Sequence, residues 1–292
     1  MAQEKKVTLA LLQHPSLGAL THDDKMAYLE AMIGQGVAGG AGIILTEELF
    51  GSDYFPRVHD AVHFDLAETI PGVTFEGLSR LAKQFGVVIC GSLFERAARG
   101  LYYNTTVTIC EKGELRGKYR KLHIPHDPDF YEKYYFAPGD LGYQSDAVGG
   151  LALGQLICWD QWFPEAARLT AMLGAEVINY PTAIGWCANE SLAEQGCQLE
   201  AWVTMLRSHA IANGVYVCAA NRVGVEGNLT FWGHSLVVDP LGEVIARGSG
   251  EDREVILAEI DLAKMTYARR TWPFFRDRRV DTFGGLTRRF GR

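Results

Sequence analysis

An α/β fold of layered helices and two sheets is what this sequence predicts, on three observations. Four glycine junctions, GGAGIILTEE, FGVVICGSLFE, LGAEVINYPTA and NGVYVCAANRV, each follow a stretch of helical periodicity and lead into an apolar strand; glycine takes the left-handed conformation that ends a helix. Strands such as VVIC and GVYVCAA are apolar at successive positions, which requires cover on both faces. Two hairpin patterns, YYNTTVTICEKGELRGKYRK about an EKG turn and TFWGHSLVVDPLGEVIARG about DPLG, add antiparallel strands.

The elements follow in order. A first strand, VTLALLQ, precedes the helix DDKMAYLEAMIGQGVA and the strand IIL, which ends at Glu47 and Glu48. The helix TFEGLSRLAKQF spaces Leu78, Leu81, Ala82 and Phe85 on one apolar face. After the first hairpin comes a compact loop, HIPHDPDFYEKYYFAPGD, then the apolar run GLALGQLICWD and the helix FPEAARLTAML, with Pro164 suited to its first turn. WCANESLAEQGCQ reads as a loop before the helix EAWVTMLRSHAIAN. No linker, repeat or low-complexity tract divides the chain, so residues 1–292 form one expected domain. Its end differs in composition: residues 269–292 hold eight arginines against two aspartates, a local +6 that leaves −13 elsewhere. Packing of this basic, aromatic tail on another subunit, in a homo-oligomer, is the expectation.

Charge and cysteine usage exclude several classes. A net charge of −7 and a pI of about 5.6 argue against a nucleic-acid binder, which needs cationic surface for phosphates. No run approaches the roughly 18–20 apolar residues of a membrane span, and the apolar stretch before Gln13 is too short for a signal-peptide core, so a cytoplasmic protein is expected. Six cysteines (90, 110, 158, 187, 197 and 218) without CxxC pairs read as reduced thiols. No GxxxxGK phosphate loop is present.

Chemistry concentrates at three places. Cys158 ends an apolar strand and is followed at once by polar and aromatic WDQW and a helix start, a turn that sets a thiol near backbone N–H groups; a buried core cysteine, the commoner fate, suits Cys90, Cys110 and Cys218. Glu47 and Glu48 end the strand IIL, where a carboxylate can take a thiol proton, although a solvated strand end looks the same in sequence. Lys118, Arg120 and Lys121 form a charged run of the kind that usually faces solvent, yet a lysine beside a developing oxyanion would stabilise it. Position alone does not choose among these three.

Taken together, ILTEELF, GKYRKLHIP, YEKYYFAPGD and LICWDQWFPEAARLTAMLGAEVINYPTAIG resemble the nitrilase superfamily of carbon-nitrogen hydrolases, over nearly the whole chain. The resemblance implies a four-layer α-β-β-α sandwich without metal or cofactor. It further implies Glu48 as general base, Lys121 as oxyanion stabiliser, Cys158 as nucleophile, and Glu132 as a second glutamate that positions lysine and substrate. The Trp159 amide would complete the oxyanion hole. Glu47 stands where relatives often carry proline or glutamine.

The last of those stretches looks most like the members that act on N-carbamoylputrescine. Carbamoylases of amino acids often place arginines just after the nucleophile to hold a carboxylate, and none occurs here before Arg168. Acidic residues (Asp53, Asp127, Asp129, Glu190, Glu194) and aromatic ones (Tyr54, Phe130, Trp162, Trp186) in expected loops suit a small ureido or amide substrate with a cationic amine tail, and Trp159, Tyr54, Asp127 and Trp186 are the expected contacts. The alternatives are a β-ureidopropionase, a D-amino-acid carbamoylase, an ω-amidase or an aliphatic amidase. Outside the family stand a metal hydrolase using His123 and His126, a papain-like protease using His209 or His234, and a non-catalytic oligomeric binding protein.

Overall fold

In β1 (Lys6–Gln13) successive side chains point to opposite faces, and both sets are apolar. Leu9 and Leu11 meet a second sheet, whereas Ala10 and Leu12 meet helices, so this strand is covered twice. The structure, a computed structural model describing residues 6–291, repeats that arrangement across two six-stranded sheets. The first contains β1, β2 (Ile43–Leu45), β3 (Val88–Ala98), β4 (Leu101–Ile109), β5 (Leu115–Arg120) and β15 (Glu254–Asp261), in the order β15-β1-β2-β3-β4-β5. The second contains β6 (Ser145–Val148), β7 (Leu151–Gln155), β8 (Val177–Pro181), β10 (Tyr216–Ala220), β13 (Leu236–Val238) and β14 (Val244–Arg247), in the order β14-β13-β10-β8-β7-β6.

The sheets stack through Leu9, Leu45 and Cys90 on one side and Leu153, Val177 and Cys218 on the other. Helices α1 (His22–Ala38) and α2 (Val73–Phe85) cover the outer face of the first sheet through Leu29, Ile33, Leu78 and Leu81. Helices α4 (Pro164–Met172) and α5 (Leu192–Asn213) cover the second through Ala166, Trp202 and Leu206. The result is the expected four-layer α-β-β-α sandwich. Two of the glycine junctions act as read: Gly86 (φ 65°) ends α2 and Gly214 (φ 55°) ends α5.

Three differences are informative. α5 starts at Leu192, eight residues before the helix read from sequence, because Ser191 and Glu194 form a reciprocal cap: Ser191 Oγ accepts from Glu194 N (3.3 Å) and Glu194 Oε2 accepts from Ser191 N (2.8 Å). A third sheet joins β9 (Gly185–Cys187), β11 (Val223–Glu226) and β12 (Leu229–Trp232), so Phe231 and Trp232 belong to it and not to the β13–β14 hairpin. Arg269 and Arg270 lie in the last turn of α6 (Leu262–Thr271), so the irregular C-terminal segment begins after the helix. Among the described residues no helix is long and apolar enough to cross a membrane.

Strand alternation resolves the charged run. On β5, Lys118 and Arg120 reach Glu95 of β3, while Lys121, just past the strand, turns inward and is buried. Burial alone would push the Glu95 carboxyl up, but donors from Arg120, Lys118 and Thr105 outweigh it and bring it down to about 2. A depressed carboxyl contributes stability that is complete above its ordinary value of 4.5 and is lost as pH falls through about 2. Glu95→Gln should therefore lower unfolding free energy by about 1–2 kcal/mol near neutrality. In urea unfolding at a series of pH values, the gap from the parent should close progressively on acidification; a pH-independent gap would refute the ion-pair account.

Candidate active site

The carboxyl ends of parallel strands meet at one edge of the sandwich, where open α/β sheets place their ligands. Glu48 follows β2, Cys158 follows β7, Ala183 follows β8 and Arg222 follows β10, while Lys121 leaves the end of β5 and Glu132 opens the short helix α3 (Glu132–Tyr135).

Lys121 is the centre of the constellation. Its Nζ donates to Glu48 Oε1 (2.8 Å) and to Glu132 Oε1 (2.8 Å) and Oε2 (2.7 Å), and all three side chains are buried. Glu48 Oε1 also accepts from Asn104 Nδ2 (2.7 Å), and its Oε2 accepts from Ala183 N (3.0 Å). Tyr54 donates its hydroxyl to Glu132 Oε1 (2.7 Å). Burial pulls the Lys121 ammonium down, but Glu132 and then Glu48 overcome it and leave the group above the ordinary lysine range. Burial pushes the Glu132 carboxyl up to about 7 against the pull of Lys121.

Cys158 sits in the left-handed region (φ 36°), a conformation that costs a non-glycine residue about 1–3 kcal/mol and aims its side chain out of the strand direction. Burial, then Glu48, raise its thiol well above the ordinary cysteine range, while Lys121 opposes them. Asp160 holds this turn: it accepts from Ile157 N (3.0 Å), His123 N (3.0 Å), His123 Nδ1 (2.6 Å) and Tyr119 Oη (2.8 Å). One buried carboxylate thus ties the Cys158 turn to the segment that carries Lys121. Such a set can pass a proton from thiol to carboxylate while an ammonium faces a carbonyl oxygen.

Cys158 opens into a cavity of about 490 Å3 walled by Trp159, Trp162, Phe130, Ile184 and Trp232, with Asp127, Glu132 and Glu190 as its carboxylates and no lysine or arginine among the described lining residues. Asp127 and Trp159 line this wall. Tyr54 and Trp186 do not. Tyr54 is fully buried beneath the site against Glu132, and Trp186 on β9 packs behind the wall residue Trp232 (5.4 Å between ring centroids) and bonds Gln195 O through its indole N–H (3.0 Å). Asp53 bonds Ser16 and Glu194 caps α5, so neither is in the wall.

Among the described residues no group of three or more His, Cys, Asp and Glu is placed to hold a metal. His123 stacks on Phe163 (3.8 Å between centroids) and binds Asp160, while His126 stacks on His59. Sequence reasoning missed Asn104, Asp160 and Arg222 as members of the site. Arg222 carried a readable signal, a charge at the end of the apolar strand YVCAA, the same pattern that drew attention to Glu48.

Fold and site define a hydrolase of carbon–nitrogen bonds in amides. The chain belongs to the carbon-nitrogen hydrolase family of the nitrilase superfamily, whose profile matches residues 8–270. It is 40% identical to the N-carbamoylputrescine amidase of Solanum lycopersicum over 97% of this chain and 96% of that one, and 37% identical to a citrullinase of Francisella tularensis over 91% and 94%. A carbon-nitrogen hydrolase from Helicobacter pylori G27 has a similar crystal structure, with a TM-score of 0.94, 40% identity and coverage of 98% of this chain and 100% of that one.

Replacing Asp160 with alanine leaves its four donors without their acceptor, and Asp160→Ala should destabilise the protein by about 3–5 kcal/mol in denaturant unfolding. Stability within 1 kcal/mol of the parent, roughly the worth of a single exposed bond, would show that the turn is held some other way.

Proposed function

We propose that the protein hydrolyses N-carbamoylputrescine to putrescine, ammonia and carbon dioxide, with Cys158 as nucleophile and Glu48 as general base. Glu48 takes the thiol proton as sulfur attacks the ureido carbon, and Lys121 Nζ with the Trp159 N–H holds the oxyanion. Collapse breaks one C–N bond, and Glu48 returns its proton to the departing nitrogen. Water, deprotonated by Glu48, then opens the S-carbamoyl intermediate and restores the thiol. If ammonia leaves first, the released N-substituted carbamate breaks down to carbon dioxide and putrescine; if putrescine leaves first, the released carbamate breaks down to carbon dioxide and ammonia. Glu132 positions Lys121 throughout. No step requires a metal or cofactor.

The observation that carries the substrate is the cavity wall: aromatic rings and carboxylates, with no lysine or arginine among the described lining residues. Methylenes suit the rings, and a distal ammonium suits Asp127 or Glu190. Glu190 is held ready, its Oε2 accepting from Cys187 N (3.0 Å) and its Oε1 from Gln198 Nε2 (2.8 Å). The name of the tomato relative supports the same reading. The citrullinase relative supplies a second one, a ureido amino acid, but a substrate carboxylate would meet carboxylates here.

Ammonia release from N-carbamoylputrescine should exceed that from citrulline and N-carbamoyl-β-alanine, and Cys158→Ala should abolish it. Glu190→Gln should raise KM for the cationic substrate about tenfold with little change in kcat. Preference for either carboxylate substrate would overturn the tail assignment.

We also propose a homo-oligomer in which the C-terminal segment crosses to a partner. Phe275 docks on the core under Arg168 and Arg269, but Trp272, Phe274, Val280, Leu286 and Phe290 are exposed, as are Leu169 and Met172 of α4. The six free cysteines, Cys158 among them, suit a reducing compartment such as the cytoplasm. Truncation after Arg279 keeps Phe275 and should reduce the assembly size in sedimentation; an unchanged mass would remove the tail from the interface.

A further inference from the structure

Arg222 is fully buried and does not line the cavity, yet it touches both sides of the catalytic constellation. Its Nη2 donates to the main-chain oxygens of Glu48 (3.1 Å) and Leu49 (3.2 Å), its Nε to Glu47 Oε1 (3.0 Å), and its Nη1 to Glu226 Oε1 (2.7 Å). Leu49 lies in the left-handed region (φ 50°), so the turn that carries Glu48 is strained and needs to be held. From Glu226 a second path continues: its Oε2 accepts from Tyr54 N (2.6 Å), and the Tyr54 hydroxyl donates to Glu132. Both carboxylates that grip Lys121 are therefore tied to one guanidinium.

We propose that Arg222 is a positioning residue of the hydrolytic reaction, fixing the Glu48 turn directly and the Glu132 carboxylate through Glu226 and Tyr54. The inference rests on the roles given above to Glu48, Lys121 and Cys158. Four acceptors surround the cation, more than an ammonium with its three donors can serve, whereas the planar fork of arginine has five N–H groups. Burying a charge here is costly, and Glu47 and Glu226 offset that cost only in this geometry. The device acts on the aim of groups that touch substrate and makes no contact with substrate itself.

The test is steady-state turnover of N-carbamoylputrescine by Arg222→Lys and Glu226→Gln, with folding checked by thermal unfolding. Arg222→Lys should lower kcat about a hundredfold and Glu226→Gln about tenfold, each with KM within about twofold of the parent. A readout free of substrate accompanies it: alkylation of Cys158 by iodoacetamide should slow about tenfold in Arg222→Lys, because the thiol's proton acceptor is no longer aimed at it. If Arg222→Lys fails to fold, the same two measurements on Glu226→Gln decide. Parental kcat and alkylation rate in a folded variant would overturn the proposal, as would a loss confined to KM. Cys158→Ala in the same assay separates the two readings: retained turnover there sinks the mechanism itself, whereas a dead Cys158→Ala beside fully active Arg222 and Glu226 variants sinks only the positioning role.

Discussion

An ammonium held out of water by two carboxylates is the constraint on which the rest of this structure depends. Lys121, Glu48 and Glu132 are buried together, and each would carry a desolvation cost of several kcal/mol if left alone. The cost is offset only when the three meet at hydrogen-bond distance, with Asn104, Ala183 N–H and Tyr54 filling the remaining lone pairs. Glu132 opens a four-residue helix only 11 residues beyond Lys121 at the end of an edge strand, but Glu48 comes from a parallel strand end 73 residues before it. The layered sandwich brings them to one edge.

Around that centre the protein places strained turns and holds them with buried polar groups. Leu49 and Cys158 both adopt left-handed backbone, one beside the proposed base and one at the proposed nucleophile. Asp160 secures the second turn through four donors, and Arg222 secures the first through two main-chain carbonyls. Each hub also reaches the lysine side of the site, Asp160 through His123 and Arg222 through Tyr54. Strain and clamp therefore belong to one arrangement, in which orientation is fixed before substrate arrives.

The cavity follows a different logic from the chemistry beneath it. Its wall is drawn from the 125–130 loop, the start of the three-stranded sheet and the N-terminal half of α5, segments with weak periodicity of their own. These were the parts least legible in the sequence. β9 is three residues long, too short to show alternation, and the loop read over 186–198 conceals the Ser191–Glu194 cap that starts α5. Tyr54 and Trp186 looked like wall residues because aromatics in loops often are, but one lies under the site and the other packs on the wall residue Trp232 with its indole N–H held by Gln195.

Sequence alone determined the alternation of helices and doubly covered strands, because burial on two faces demands continuous apolar runs and helix ends demand glycine. Through the resemblance of its ordered motifs to the nitrilase superfamily it also pointed to Glu48, Lys121, Glu132 and Cys158 together. Tertiary structure decided which carboxylate and which cation of each pair meet at the site. Glu48 turns to the lysine while Glu47 goes to Arg222, and Lys121 is buried while Arg120 reaches Glu95. Adjacent residues differ by one position along the backbone, and only packing against another strand sets which of them meets its partner. For the same reason the cavity's charge, the hubs at Asp160 and Arg222, and the exclusion of Tyr54 from its wall are properties of long-range contacts that no local pattern encodes.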